Sequence, residues 1–405
     1  MIKNIIVLND YNYIQGGASL VAIETANILY DCGYNVIFFC GLKKENTLLN
    51  KKIKVFSCCE YDSLSNPNRL QGAINNLYNL KSKNKFIEIL SNFDNKDTII
   101  WIHGWTKVLS SSFLNYCYKN NFETILTAHD YFTICPNGGL FNFKKNCICC
   151  KKNLSCFFCN CDSRNYLFKI FRNIRFFIQN NIVKFNKKIN YLVTISNFSE
   201  NILKDYFKAS KIFRIYNPIS IKDKSDRINV IKNDFFIFVG RIEIEKGIDV
   251  VCKAFSLNKK NIYIIGDGKD YTKTKNKYQN FENIIFIGWQ NHDIVLEYMK
   301  KSKILIFPSL WYEAAPLTIL EALSQGLPCM VSKCCAAVDF VDNKTGWVFD
   351  PYSNELNTLI SNLTDDEIDL KSKNAYNRFW EKPFTKGVFA DNIKKMFFEI
   401  EKNDF

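Results

Sequence analysis

Two glutamates on either side of a predicted helix start are the residues of this sequence best suited to chemistry. Glu313 and Glu321 flank Pro316, which suits the first position of a helix. An apolar run that ends at Pro308 predicts a buried strand just before them. Free amides and the helix dipole at such a helix start attract an anion such as a diphosphate, and carboxylates accept hydrogen bonds from sugar hydroxyls. The segment therefore predicts a site for a diphosphate with a sugar beside it.

A pair of cations follows another strand-like run, Phe235–Val239. Arg241 and Lys246 lie just past this run, and Gly240 and Gly247 lie beside them. Glycine lets the backbone come close to a ligand, and Arg and Lys form charge-assisted hydrogen bonds to phosphate. The segment suits a phosphate clamp, and the alternative is a solvated Arg and Lys at a strand–helix turn.

Strand-like and helix-like runs alternate along the whole chain, which indicates mostly parallel sheets covered by helices on both faces. The first block of runs ends near Ile195, and the second begins at Phe235 after a polar, charged linker. We expect a first domain over residues 1–218, a second over 219–385, and a last helix within 386–405. The fold class is therefore α/β.

Helical periodicity and capping residues predict the helices of the first domain. One helix is predicted near Leu70–Leu90 and another near Lys107–Tyr118. A third is predicted to begin at Asn197, where Glu200 lies three residues on and completes a capping box.

The segment around Glu313 and Glu321 resembles family 4 of the retaining nucleotide-sugar glycosyltransferases, which have the GT-B fold. The resemblance extends to Phe-Pro-Ser before the first glutamate, to Glu-Ala-Ala-Pro-Leu, and to Glu-Ala-Leu-x-x-Gly-x-Pro. Residues 240–247 are similar to the family's Gly-Arg-Leu-x-x-x-Lys-Gly element. The resemblance implies two Rossmann-like domains that face each other across a cleft, with the nucleotide sugar held mainly by the second.

The resemblance also implies a role for each donor-binding residue. Arg241 and Lys246, with the amides near Leu317 and Thr318, would neutralise the leaving diphosphate, so that catalysis requires no cofactor. Glu321 would bind the ribose hydroxyls. The expected catalytic residues are Glu313, which orients the transferred sugar, His129, which positions that sugar from the opposite domain, Arg241 and Lys246.

Three glycines match loops that approach the donor in this family. Gly16 and Gly17 follow the first strand and open a helix, and Gly266 ends a strand in the second domain. The resemblance places the first pair beside the donor's phosphates and the acceptor, and the third near the nucleotide base. Ordinary turn chemistry is the alternative.

The sequence has three histidines, and two of them lie at the ends of predicted strands. His129, followed by Asp130, matches the family's histidine near the transferred sugar. His103 resembles a histidine of the family's second tier, so we assign His103 and Asp130 to the acceptor side. A satisfied core histidine is the alternative for both, and His292 has no context that assigns it a role.

Seven of the sixteen cysteines fall between Cys135 and Cys161. Cys156 and Cys159 have the spacing of a metal knuckle, and an insertion of this length needs something to hold it. We expect a structural zinc there, with an iron–sulfur cluster or unligated thiols as alternatives. The expected ligands are Cys147, Cys150, Cys156 and Cys159, with Cys149 in place of Cys150 as an alternative.

Residues 164–188 predict a basic amphipathic helix. Its apolar stripe comprises Leu167, Ile170, Phe171, Ile174, Phe177 and Ile178, and the basic residues off the stripe are Lys169, Arg172 and Arg175. Such a helix can lie in a membrane interface beside a lipid-linked acceptor. The alternative is that the stripe packs onto the sheet of the first domain.

The composition describes a soluble globular protein, with 47% hydrophobic and 23% charged residues. The net charge of +14 suggests an acidic partner, but only eight of the 54 basic residues are Arg and no nucleic-acid-binding motif is present. We therefore expect no nucleic-acid partner. Neither a signal sequence nor a membrane span is apparent, so a cytoplasmic location is expected, with membrane association through residues 164–188 as a further expectation.

These observations predict a glycosyltransferase that moves a hexose from a nucleotide-diphosphate sugar to a glycan or lipid-linked acceptor with retention of configuration. Surface-polysaccharide assembly is the expected setting. Another GT-B reaction, such as that of an epimerase or a phosphorylase, is the first alternative. A non-catalytic interaction protein held together by zinc around residues 135–161 is the second.

Overall fold

A computed structural model describes residues 2–144, 155–162, 164–221 and 223–403. Within these ranges the chain forms two parallel sheets, one of seven strands and one of six. The strands of the first sheet are β1 (Asn4–Tyr11), β2 (Asn35–Leu42), β3 (Lys54–Ser57), β4 (Thr98–Ile102), β5 (Glu123–Ala128), β6 (Tyr191–Thr194) and β7 (Lys211–Arg214). The strands of the second are β8 (Phe235–Val239), β9 (Asn261–Ile265), β10 (Ile284–Gly288), β11 (Ser302–Phe307), β12 (Cys329–Ser332) and β13 (Gly346–Phe349).

The strand orders are β3-β2-β1-β4-β5-β6-β7 and β10-β9-β8-β11-β12-β13. In both sheets the order reverses beside the first strand of the domain, and ligands bind at that point in open α/β sheets. The expected α/β architecture of two Rossmann-like domains is confirmed.

Helices cover both faces of the sheets. Those of the first domain are α1 (Gly17–Asp31), α2 (Arg69–Leu77), α3 (Leu80–Leu90), α4 (Leu114–Lys119), α5 (Ser155–Phe158), α6 (Tyr166–Phe177) and α7 (Asn197–Leu203). Those that follow are α8 (Ile248–Leu257), α9 (Tyr271–Lys277), α10 (His292–Lys300), α11 (Leu317–Gln325), α12 (Glu355–Ser361), α13 (Asp365–Glu381) and α14 (Lys386–Asn403). No helix in the described ranges combines the length and the apolar character that a bilayer crossing requires.

Alternate residues of β1 belong to two separate cores, one on each face of the first sheet. Ile6 and Leu8 pack on one face, and Ile5 and Val7 pack on the other. Both sets are fully buried, as expected for a central parallel strand.

Helix α14 supplies part of the first domain's core although it follows the second domain in the chain. Its apolar residues Phe389, Ile393 and Phe397 are buried against the face of the first sheet that contains Val7. The backbone N–H of Ile2 donates a hydrogen bond to Glu401 Oε1 at 2.7 Å.

Two predicted helices have different bounds in the structure. The helix predicted near Leu70–Leu90 is broken at Asn79, whose side chain caps α3 and also donates to the carbonyl of Val108 at 2.8 Å. The helix predicted near Lys107–Tyr118 is reduced to α4, because the buried carboxylate of Asp10 accepts the amides of residues 107–109.

The cap of α7 is also different from the prediction. Ser196 is the N-cap, and its hydroxyl accepts the amide of Ser199 at 3.0 Å. Glu200 instead pairs with Arg214 at 2.9 Å and so joins α7 to β7.

Candidate functional site

Lys246 and Glu313 form an ion pair at the carboxyl ends of neighbouring strands. The distance from Lys246 Nζ to Glu313 Oε1 is 2.5 Å, and the two side chains are only 14% and 16% exposed. The second oxygen of Glu313 accepts from the Ser309 hydroxyl at 3.0 Å and from Trp311 Nε1 at 3.4 Å. Lys246 lies after β8 and Glu313 after β11, and the pairing of these strands brings the two residues together.

Gly247 makes this approach possible. Its φ is +73°, and a Cβ at this position would lie 2.1 Å from the carbonyl oxygen of Pro308. Any larger residue would therefore push the turn that contains Lys246 away from the loop that contains Glu313.

The ion pair lies in a recess at the start of α11. The recess encloses about 340 Å³ of empty space, part of it open to solvent. The polar and backbone groups that line it belong to Gly240, Lys246, Ser309, Glu313, Leu317 and Thr318. Among the described residues no side chain caps the start of α11, so its first amides face the recess as an anion site.

Arg241 lies at the rim of the recess and does not line it. Its guanidinium pairs with Glu243 Oε2 at 2.9 Å, and its side chain is 57% exposed. Burial and the neighbouring Glu245 raise the pKa of Glu243, and the Arg241 charge opposes that rise. The pair is only half exposed, since the Glu243 side chain is 14% exposed, and Arg241 must leave this partner to reach an anion in the recess.

Glu321 contacts a histidine that the sequence analysis left without a role. His292 Nε2 lies 2.8 Å from Glu321 Oε1, and the hydrogen bond to Glu321 raises the pKa of His292 while partial burial opposes the rise. Asn291 caps α10 and sets His292 at the first position of that helix. The cap could have been recognised from the sequence, but the proximity of α10 to α11 could not.

The three glycines predicted to approach the donor differ in their surroundings. A Cβ on Gly266 would lie 1.9 Å from the carbonyl oxygen of Gly240, so Gly266 packs the loop after β9 against the loop after β8. A Cβ on Gly16 or Gly17 would meet nothing within 4 Å. The backbone before α1 is therefore open to a ligand.

His103 and His129 form a hydrogen-bonded pair at the carboxyl ends of β4 and β5. Their Nδ1 and Nε2 atoms are 3.0 Å apart, and the rings stack with centroids 5.2 Å apart. Burial lowers the pKa of His129 to about 4, and burial together with His129 lowers the pKa of His103. Both rings are therefore neutral at pH 7, and one donates to the other.

Asp130 and two residues that the sequence analysis did not select make the rest of this face polar. Burial raises the pKa of Asp130 to about 6, and the charge of Arg175 opposes the rise. The partly buried guanidinium of Arg175 donates to the carbonyls of Thr106 and Pro136 at 3.2 and 3.1 Å. Asp10 accepts the amides of residues 107–109 in the loop after β4, and its place near the carboxyl end of β1 was the available signal.

The segment after His129 contacts the loop that contains Glu313. Tyr131 and Leu140 of the first domain share a core with Ala314 of the second. The ring of Trp311 packs on Gly139, where a Cβ would approach it to 2.9 Å. These contacts place the recess at the start of α11 next to the polar face of the first domain.

Two of the four expected zinc ligands, Cys147 and Cys150, lie outside the described residues, as does Cys149. Cys156 is buried, and its sulfur accepts a hydrogen bond from the fully buried ammonium of Lys169 at 3.1 Å. Within the described ranges no group of three or more His, Cys, Asp and Glu residues could hold a metal ion. The zinc site, which includes Cys159, stays a prediction.

Much of the apolar stripe is exposed. Leu167, Ile174 and Phe177 are 74%, 45% and 54% exposed, and the buried residues of α6 are Lys169 and Asn173. Ile178, just after α6, packs against the core of the first domain. The alternative that the stripe packs onto the sheet is therefore wrong for the three exposed residues. The basic residues turn inward because buried partners hold them, as Asp162 holds Arg172 at 3.0 Å.

Comparisons with known proteins found a match to the second domain. Residues 221–381 match the family model described as glycosyl transferases group 1. Over these residues the chain is similar to that family.

Curated relatives extend the similarity to enzymes of known activity. The chain is 31% identical over 201 residues to the Escherichia coli UDP-Gal:alpha-D-GlcNAc-diphosphoundecaprenol alpha-1,3-galactosyltransferase, covering 45% of this chain and 50% of that enzyme. It is 27% identical over 226 residues to the lipopolysaccharide 1,6-galactosyltransferase of Salmonella typhimurium, covering 49% of this chain and 61% of the relative. The matches thus span about half of the length of these relatives.

Solved structures match over nearly the whole chain. The Anabaena protein HepE in complex with UDP gives a TM-score of 0.64 at 15% identity, covering 98% of this chain and all of HepE. The lipopolysaccharide outer core galactosyltransferase WaaB gives 0.62 at 18% identity, covering 98% of this chain and 99% of WaaB. These likenesses confirm the GT-B fold.

Proposed function

We propose that this protein is a glycosyltransferase that moves a hexose from a nucleotide-diphosphate sugar to a glycan or lipid-linked acceptor. The observation that carries the proposal is the Lys246–Glu313 pair beside the uncapped start of α11. It combines a cation and free amides for a diphosphate with a carboxylate for sugar hydroxyls. The group 1 match of the second domain supports it.

The diphosphate binds to Lys246 and to the amides of Leu317 and Thr318, and Arg241 turns in from the rim. Negative charge grows on the diphosphate as the bond to the sugar's anomeric carbon breaks. Donors that are already in place stabilise that charge, and one such donor commonly contributes about 3–4 kcal/mol. The proposal assigns to these groups the whole stabilisation of the leaving group, so that catalysis needs no cofactor.

The sugar lies between Glu313 and the first domain. Glu313 accepts hydrogen bonds from its hydroxyls once the diphosphate shares Lys246, and Glu321 accepts those of the ribose. His129 is neutral and can either donate to or accept from the sugar, with its role set by His103. As the bond from the anomeric carbon to the diphosphate oxygen breaks, a new bond forms from that carbon to the acceptor oxygen, and the proton of the acceptor hydroxyl passes to the leaving diphosphate. Retention of configuration and membership of family 4 belong to this proposal.

UDP is the nucleotide that the relatives favour. One curated relative is named for UDP-Gal, and HepE was solved with UDP. We therefore propose a UDP-hexose donor, with UDP-galactose as the first to test.

The names of two relatives and an apolar surface on the first domain favour a role in surface-polysaccharide assembly at a membrane. The named relatives act on a diphosphoundecaprenol-linked sugar and on lipopolysaccharide. The exposed stripe of α6, together with exposed Leu70 and Ile74 of the neighbouring α2, makes a broad apolar surface on the first domain. A lipid-linked acceptor would reach the polar face of this domain from that surface. Residues 164–188 would then make a peripheral contact with the membrane.

Titration of the wild-type protein with UDP-galactose, UDP-glucose, GDP-mannose and free UDP, followed by thermal unfolding, tests the proposal. A bound donor raises the midpoint with its concentration. We expect a UDP-sugar to raise it and Lys246→Ala to abolish the rise, while the control Lys253→Ala, an exposed lysine of the same domain, behaves as wild type. Labelled product on a second sugar or lipid separates a transferase from an epimerase, and no response to any nucleotide sugar would contradict the proposal.

A further inference from the structure

His292 and Glu321 form an isolated pair at the edge of the donor recess. Glu321 lies one turn after Leu317 on the same face of α11, and Leu317 lines the recess. Its side chain is only 13% exposed, whereas that of His292 is 44% exposed. The imidazole is therefore the more exposed member of the pair, and the carboxylate is the more buried one.

The pair is held in place from both helices. Asn291 caps α10 through the amide of Ile294 at 3.0 Å, which sets the start of the helix and with it the position of His292. Met299 of α10 and Leu320 of α11 belong to the same buried core. The contact is thus a product of packed elements on both sides.

A carboxylate has about four lone-pair positions on its two oxygens. The bond from His292 Nε2 occupies one of them, on Oε1. The other oxygen stays available for the two adjacent hydroxyls of a ribose, and the imidazole prevents the carboxylate from rotating.

We propose that His292 is a positioning residue for donor binding, which orients Glu321 toward the ribose. This inference rests on the proposed function, because it needs a nucleotide donor at Glu321. It adds to that function a residue that makes the affinity for the donor depend on pH.

The direction of the pH dependence follows from the charges around the ring. Glu321 from α11 and Asp293 from α10 are the charged groups that act on His292, and both favour its protonated form. The hydrogen bond to Glu321 raises the pKa of His292 in the folded protein above its ordinary value of 6.5. The charge-assisted bond is therefore complete below pH 6.5 and is lost as the pH rises through the raised pKa.

The test is the dissociation constant of UDP-galactose between pH 6 and 9, measured by calorimetry. This donor is suitable because its diphosphate, unlike that of free UDP, does not titrate in that range. We expect the wild-type affinity to fall as pH rises, and His292→Ala to weaken binding about tenfold at pH 6.5, as for one charged hydrogen bond.

His292→Gln is the matched control, since its side-chain amide can replace Nε2–H without titrating. It should bind within about threefold of wild type at pH 6.5, the cost of a neutral hydrogen bond in place of a charged one, and show no pH dependence. Adding His292→Ala to Glu321→Ala should cause no further loss, because the histidine acts through that glutamate.

Equal, pH-independent binding by wild type and His292→Ala would overturn the inference and leave the proposed function intact. A wild-type protein that binds none of the nucleotide sugars would instead refute the proposed function. Unfolding midpoints of the variants without ligand separate both outcomes from a loss of folding.

Discussion

At the scale of single residues, the two opposite charges of the proposed donor site form an ion pair with each other in the unliganded protein. Lys246 and Glu313 are both largely buried, and each neutralises the other in the unliganded protein. Removing one member of such a pair leaves an uncompensated charge. Removing the charge of Lys246 should therefore weaken the binding of a diphosphate, whereas removing the charge of Glu313 should leave it unchanged or strengthen it.

Glu313→Gln keeps the shape of the side chain and removes its charge. We expect affinity for free UDP to be kept or increased, because Lys246 then has only the diphosphate as counterion. Turnover of UDP-galactose should fall roughly 100-fold, since the sugar loses its charged acceptor. Steady-state rates and UDP titration check this, and unchanged turnover would remove Glu313 from the site.

Cys59 is a second residue with a sharp expectation. Hydrogen bonds from the thiol of Cys58, 3.5 Å away, and from Asn79 lower its pKa to about 7, although burial opposes this. Burial raises the pKa of Cys117 instead. Iodoacetamide at pH 7.5 should therefore label Cys59 well before Cys117, as peptide mass spectrometry would show, and equal rates would contradict the assignment.

At the scale of elements, the helices and strands that depend on local sequence patterns could be predicted. Apolar runs located the strands whose ends carry the site, and the helix after Pro316 begins within one residue of its expected start. Residues 107–113 form turns where a helix was predicted. The carboxylate that accepts their first amides belongs to Asp10, about a hundred positions earlier in the chain, so no local pattern reveals it. His292 was missed for the same reason, since only the packing of α10 beside α11 gives it a partner.

The turn at Gly247 makes a testable case of such packing. Gly247→Ala places a methyl group against the carbonyl of Pro308 in a backbone conformation that already disfavours alanine. We expect a loss of about 3 kcal/mol in the free energy of unfolding in urea, the sum of backbone strain and overpacking. Gly33→Ala has a similar φ with open space around it, so it should cost only about 1 kcal/mol.

At the scale of the whole molecule, the two domains are joined by more than the linker. The backbone amide of Phe198 donates to Asp339 Oδ2 at 2.9 Å, and its ring lies 5.6 Å from that of Tyr312. Lys386 Nζ pairs with Glu24 at 2.7 Å where α14 returns to the first domain. These contacts hold the two domains against each other on both sides of the linker.

The proposed membrane contact through α6 can be tested with lipid vesicles. The protein carries a net charge of +14, so vesicles that contain anionic lipid should bind it more strongly at low salt. Leu167→Glu and Phe177→Glu should reduce cosedimentation with such vesicles at least about fivefold, since each places a charge on the apolar face. Leu257→Glu on α8, 65% exposed in the other domain, is the control and should bind as wild type.

Because α14 packs on the first domain, it also limits when that domain can complete its fold during synthesis. The strands of the first domain have all been synthesised once residue 214 has been translated, yet Val7 and its neighbours still lack the apolar side chains near residues 389–400. The nascent first domain must therefore wait, with one face of its sheet uncovered, until the second domain has been synthesised behind it.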